Sequence, residues 1–411
     1  MSTIRIQSPH TAICNGKARV SSQIVFPDKT QDLWFECDAA FADHLSPETC
    51  DGFLVAVLLI AMRNGFDVVV DGKVSSKLFY NITQYYMKIL ELQIHGLKTI
   101  AVKASELTTA NWKGSGVFTG FSAGVDSFCT LIDHSRGQVP REYEITHFLF
   151  NNVGSHGQEE GDRAVFSERL FRLNAIAEKM KVPVIAVDSN LDSLLNMGFQ
   201  LTHSIRNAAV PLLFQRTCGK FLYSSTYHYG DVHVGKTYDM AYSDAICLPL
   251  LSTETTECLS VGGQYTRFKK TERISSYSET FESLDVCTDP LHASRINCSK
   301  CWKCLRTELT FEILGVLDHY RDVFELDIYK RFQWLFLCDV LGSKDPLLRE
   351  IANAMKERKY HVPFSARFVA RVFPNALIVF VRAVAIEPNL RKIYWRIRAL
   401  SIRSIKKYFT L

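Results

Sequence analysis

The sequence predicts an α/β fold: a parallel sheet with helices on both faces, preceded by a mixed α+β region and followed by a mostly helical one. Three observations carry this prediction. From about 115 to 250, strand-like runs alternate with amphipathic helical segments. Those strands (VFTGF, ITHFLFNNV, VPVIAVDSN, KFLYSST) read as nearly continuous apolar runs, as strands covered on both faces do. A turn of very small residues separates the first strand from the first helix, within GVFTGFSAGVDSFCTLIDH (116–134).

Taken in order, residues 1–112 offer the strand-like runs IRIQ, ARVSSQIVF and DLWFECDA and one apolar helix near 51–64. FDVVVDGKVS (66–75) reads as a hairpin turning at Asp71-Gly72. In the middle region, 113–312, VFTGF leads into a helix over 126–135 and ITHFLFNNV into the helix SERLFRLNAIAEKM. VPVIAVDSN is followed by a helix near 205–217 and then by KFLYSST. Ligands of such sheets bind beyond the C-terminal strand ends, which puts the small-residue turn at the mouth of a site. Residues 313–411 look helical, interrupted by Pro363, Pro374 and Pro388.

Of 411 residues, 47% are apolar and 22% charged, which excludes a disordered chain. The N-terminus lacks a secretory pattern, and the apolar runs GFLVAVLLIAM and ALIVFV are too short to span a bilayer. A cytoplasmic protein without a transmembrane segment is expected. Eight of twelve cysteines stand singly and read as small core residues. The net charge of +5 is a tail property: residues 391–411 carry seven cations and no acid, and without them the chain is at −2. On a helical wheel Lys392, Arg396, Arg403, Lys406 and Lys407 share a sector. That sector is either a solvated face or a surface for RNA, an acidic protein or a membrane.

Ser122-Ala123-Gly124-Val125-Asp126-Ser127 fills the turn. Small residues let a ligand approach the backbone, and N–H groups at a helix N-terminus favour an anion. Asp126 and Ser127 also suit the start of any helix, so residue types alone fit either an anion cradle or a capped helix. The full pattern closely resembles the SGGxDS signature of the PP-loop ATP pyrophosphatases, adenine nucleotide alpha hydrolase-like proteins that split ATP between its α- and β-phosphates and transfer AMP. The resemblance implies that Ser122, Ala123, Gly124, Val125, Asp126 and Ser127 bind ATP's pyrophosphate with magnesium (Mg2+), Asp126 and Ser127 being catalytic. Ala123 departs from the family's glycine; a positive φ there costs alanine about 1 kcal/mol or more. HSIRNAAVPLLFQ (203–215) resembles the family's arginine–asparagine segment, which implies that Arg206 pairs with phosphate in catalysis and Asn207 fixes the loop.

CTDPLHASRINCSKCWKC places Cys287, Cys298, Cys301 and Cys304 within eighteen residues. Four thiolates at this spacing would make a saturated, structural zinc (Zn2+) site, the bland alternative being free surface thiols. Ferredoxin-type runs continue with a further cysteine and a proline, whereas Leu305-Arg306-Thr307 follow here. His292 lies inside the loop but is not needed once four thiolates are present.

A PP-loop core followed by this cluster resembles the 7-cyano-7-deazaguanine synthases (QueC-like proteins) over about 115–312. That resemblance implies an ATP-dependent, AMP-forming carbon–nitrogen ligase. It would adenylate a carboxylate on a deazapurine or related acceptor for attack by ammonia or an amine, as in queuosine biosynthesis or in bacterial antiviral defence gene sets. Asp231, Arg267 and Lys269 fall in the family's substrate- and phosphate-facing segments. His156, Glu159 and Glu160 follow the second strand, as bases or as a polar loop. Two other functions fit the same residues: a tRNA-modifying PP-loop enzyme that activates a base carbonyl, and a non-catalytic nucleotide-binding scaffold. The added terminal regions leave a protein or tRNA partner and homo-oligomerisation open.

Overall fold

The computed structural model describes residues 2–372, apart from 111, 113, 157–159 and 289–294 and the side chains of 160–162. The basic segment 391–411, Glu159 and His292 lie outside the described residues. Two compact units divide at Cys287. No helix among the described residues is long and apolar enough to cross a membrane.

The first unit is built on one large, mostly parallel sheet of eleven strands: β1 (Thr3–Ile6), β2 (His10–Cys14), β3 (Lys17–Val25), β4 (Thr30–Asp38), β5 (Asp67–Ser75), β6 (Val102–Thr108), β7 (Gly116–Gly120), β8 (His147–Asn152), β9 (Val184–Ser189), β10 (Cys218–Ser224) and β11 (Glu257–Val261). Their order is β11-β10-β7-β8-β9-β4-β3-β1-β5-β6, with β2 on β3. From β11 to β9 every pairing is parallel. Successive strands step outward from β7 through β8 to β9, then return to its other side for β10 and β11. The direction of winding therefore reverses beside β7, and the crevice at such a switch point is where open α/β sheets take ligands.

The N-terminal strands do not form a sheet of their own. β4 pairs antiparallel with β9, Phe35 opposite Ser189 and Glu36 opposite Asp188. Asn190 stitches the junction, accepting from the Trp34 N–H at 3.0 Å and donating to the Asp32 carbonyl at 2.8 Å. Helix α1 (Asp51–Asn64) is buried from Asp51 to Met62 and packs against both the sheet and α4 (His203–Ala209). This all-round burial explains why its sequence is apolar on every side.

Two local expectations are corrected. The hairpin at Asp71-Gly72 is instead one strand, β5, with a bulge between Val70 and Lys73; both halves pair with β6. Gly72 fits there because a Cβ would lie 2.6 Å from the Cys50 sulfur. The helix expected over 205–217 stops at Ala209, and a short 3-10 turn follows from Pro211, which cannot continue the hydrogen-bond ladder.

The second unit contains α6 (Trp302–Leu314), α7 (Leu326–Gly342), α8 (Pro346–Glu357) and α9 (Phe364–Val372). Gly315 ends α6 at φ +74°, and Asp345 caps α8 by accepting from the Leu347 N–H.

Candidate functional site

The turn after β7 lies at the switch point. Phe121 extends the strand by one hydrogen bond, donating to the Leu149 carbonyl at 2.9 Å. The chain then turns through Ala123 at φ +55°, a conformation in which a Cβ is strained. Gly124 is extended and precedes α2 (Val125–Asp133), which has no side-chain cap. The hydroxyl of Ser127 donates back to the Gly124 carbonyl at 3.0 Å. With no side-chain cap from Gly124, this helix start is of the kind that suits an anion.

Asp126 faces two cations from α5 (Arg267–Ile274), the helix that follows β11. Arg267 Nη2 lies 2.7 Å and Lys270 Nζ 3.3 Å from its carboxylate. Lys270 also donates to the Ser225 carbonyl, and burial pushes its ammonium below the ordinary lysine range. Arg267 Nε is buried and has no hydrogen-bond partner. Of the basic residues expected here, Arg267 is at the turn, but Lys269 points outward and pairs with Glu272. Lys270 takes the inner position, which the helical spacing of 267 and 270 would have picked out.

On the other side of the turn, the Asp285 N–H donates to the Ala123 carbonyl at 2.9 Å. The Asp285 carboxylate accepts from Arg169 and Arg172 of α3 (Glu160–Met180), each at 3.1 Å. His156 stands 3.4 Å from Arg169 and contacts the Phe150 and Phe166 rings. Asp285 was not legible in the sequence, because a lone acid between two loops carries no pattern.

Arg206 and Asn207 part company. Arg206 is 1% exposed and makes four hydrogen bonds: to Thr202 Oγ1, to the Val153 and Met197 carbonyls and to Asp192. It clamps the loops before α4 and is spent on them, rather than being brought to the turn. Asn207 does reach the crevice edge, accepting at 3.0 Å from Asn151 at the end of β8. Beside it, His203 bridges Tyr223 (2.8 Å) and Asp239 (3.1 Å). Asp231 sits in the short turn Tyr229–Asp231, which packs on Gly263.

In the second unit, Cys287, Cys298, Cys301 and Cys304 place their sulfurs within 4.8 Å of one another. The Cys298–Cys304 and Cys301–Cys304 separations are 3.9 and 3.4 Å. Tetrahedral zinc with Zn–S bonds of ~2.3 Å requires sulfurs about 3.8 Å apart, so the cluster fits such an ion. Its knuckle is preformed: Ser299 takes φ +53°, and the Cys301 N–H donates to the Cys298 sulfur at 3.3 Å. Cys304 lies in the first turn of α6, where the helix dipole favours a thiolate. The remaining cysteines behave as core residues except for exposed Cys14; burial pushes the thiols of Cys37, Cys50, Cys129, Cys247 and Cys258 up to about 12.

No protein-family model, curated protein or solved structure matches this chain.

Proposed function

We propose that the chain is an ATP-dependent, AMP-forming ligase of the PP-loop kind. It adenylates a carboxylate, on a deazapurine or related acceptor, for attack by ammonia or an amine. The observation that carries this reading is the buried Arg267. Its Nε has no partner, it lies beside Asp126, and it is next to an uncapped helix start at the switch point. That combination suits an anion the size of pyrophosphate.

In this reading Gly124 and the first N–H groups of α2 receive the pyrophosphate of ATP, and Ser122 borders it. Arg267 and Lys270 neutralise the charge that develops as the α–β bond breaks. Asp126 holds both cations in place, and Asp285 fixes the turn through Ala123. Magnesium, bound with ATP, supplies further neutralisation of the phosphates. Zinc on the four cysteines is structural, because four thiolates leave no open position.

The test uses zinc-loaded full-length protein, α-labelled ATP, magnesium, 7-carboxy-7-deazaguanine and ammonium. AMP formation that depends on the carboxylate, and falls at least about a hundredfold in Lys270→Met, is expected. AMP without that dependence retains the chemistry and reassigns the acceptor. A folded protein that binds ATP and forms no AMP overturns the ligase reading in favour of a scaffold.

A further inference from the structure

The second unit carries an apolar face that none of its described elements covers. On α9, Phe364, Phe368 and Val372 are 81%, 54% and 47% exposed. Their spacing of four keeps them on one stripe, while Ala366 and Ala370 are buried. Trp334 of α7 extends the stripe: it is 40% exposed, and its indole N–H donates to Ser365 at 3.0 Å. Exposed Arg367 and Arg371 flank the phenylalanines, and exposed Arg331 lies one turn before Trp334. Asp327, a further turn back, is paired with Lys330.

Beyond α9 the sequence continues with FPNALIVFV (373–381) and ends in residues 391–411, with seven cations and no acid. Aromatic residues inside a basic rim, followed by a basic tail, match a surface that is apolar just below a layer of negative charge. A second copy of the chain would set the arginine rims against one another.

We propose that this face docks on the surface of an anionic lipid bilayer. Trp334, Phe364 and Phe368 enter the headgroup boundary, while Arg331, Arg367 and Arg371 pair with lipid phosphates.

The test is co-sedimentation of the full-length protein with vesicles of phosphatidylcholine alone and of phosphatidylcholine with phosphatidylserine, using the wild type and Phe364→Glu/Phe368→Glu. Both phenylalanines are more than half exposed, so the variant should keep the wild-type circular dichroism and melting curve. The wild type is expected to bind the anionic vesicles at least about tenfold more tightly than the neutral ones, and the variant to lose at least about tenfold. Absence of binding to anionic vesicles overturns the proposal. So does binding that the double variant retains, which would assign it to the tail alone. Self-association of the wild type, lost in the variant and without vesicle binding, would make the face an interface between copies instead.

Discussion

Replacing Asp126 with asparagine should destabilise the first unit by about 3 kcal/mol, whatever it does to activity. Asp126 holds Lys270 at 3.3 Å and Arg267 at 2.7 Å. At an effective dielectric of ~20, each contact has a gross attraction on the order of 5 to 6 kcal/mol, most of it offset by desolvating the three groups. Asparagine removes the attraction but not the desolvation, because the Lys270 and Arg267 side chains are only 1% and 10% exposed. Breaking a buried pair costs about 3–5 kcal/mol, and the 22% exposure of Asp126 argues for the lower end. Lys270→Met should cost only about 1–2 kcal/mol, chiefly the donor lost to the Ser225 carbonyl, since Arg267 still serves Asp126. The double variant should then cost less than the sum of the single ones by about 1–3 kcal/mol. Urea unfolding, combined with hydrogen exchange of the β7 and α2 amides, measures this in the first unit. An Asp126→Asn protein as stable as the wild type, or strictly additive effects, would refute the argument. Loss of activity in an Asp126 variant is therefore interpretable only beside its stability.

Three further outcomes follow from the same structure. The purified chain should hold one zinc ion, and a strong chelator or Cys304→Ser should abolish cooperative unfolding of the second unit, read by metal analysis and thermal melting; such sites contribute ~10 kcal/mol or more of apparent binding energy. Ala123→Gly should lie within about 1 kcal/mol of the wild type: relief of ~1–2 kcal/mol at φ +55° is offset by chain entropy and a lost buried methyl. The same change at Ala177, inside α3, has no strain to relieve and should cost about 2 kcal/mol in denaturant titrations. Burial pushes Asp244 up to about 6 from 3.8, so the native state binds its proton more tightly. Its contribution is full below pH ~4 and is lost as pH rises through 6, by about 3 kcal/mol at most. Asp244→Asn should flatten stability across that window in melts between pH 4 and 8.

The parallel half of the sheet was legible because strands covered on both faces must be apolar throughout, and the turn after β7 because a run of small residues marks a tight connection. The cysteine cluster was legible because ligand spacing is itself a sequence property. Arg206 was not: an arginine at a helix start has the same sequence signal whether it meets a phosphate or, as here, four protein acceptors. Helical spacing puts Lys270, and not Lys269, on the Arg267 side of α5, but only the packing of α2 against that helix shows that this side is the buried one.

By itself, then, the sequence determined the α/β class, the position of the turn after β7 and the four cysteines of a cluster that could hold a metal ion, since each depends on residues close together in the chain. Tertiary structure decided the rest. Pairing of β4 with β9 joined the N-terminal strands to the parallel half, and long-range packing brought Asp285, Arg267 and Lys270 around the turn. Contacts between residues more than a hundred positions apart leave no periodicity to read; only the folded chain specifies which charges meet.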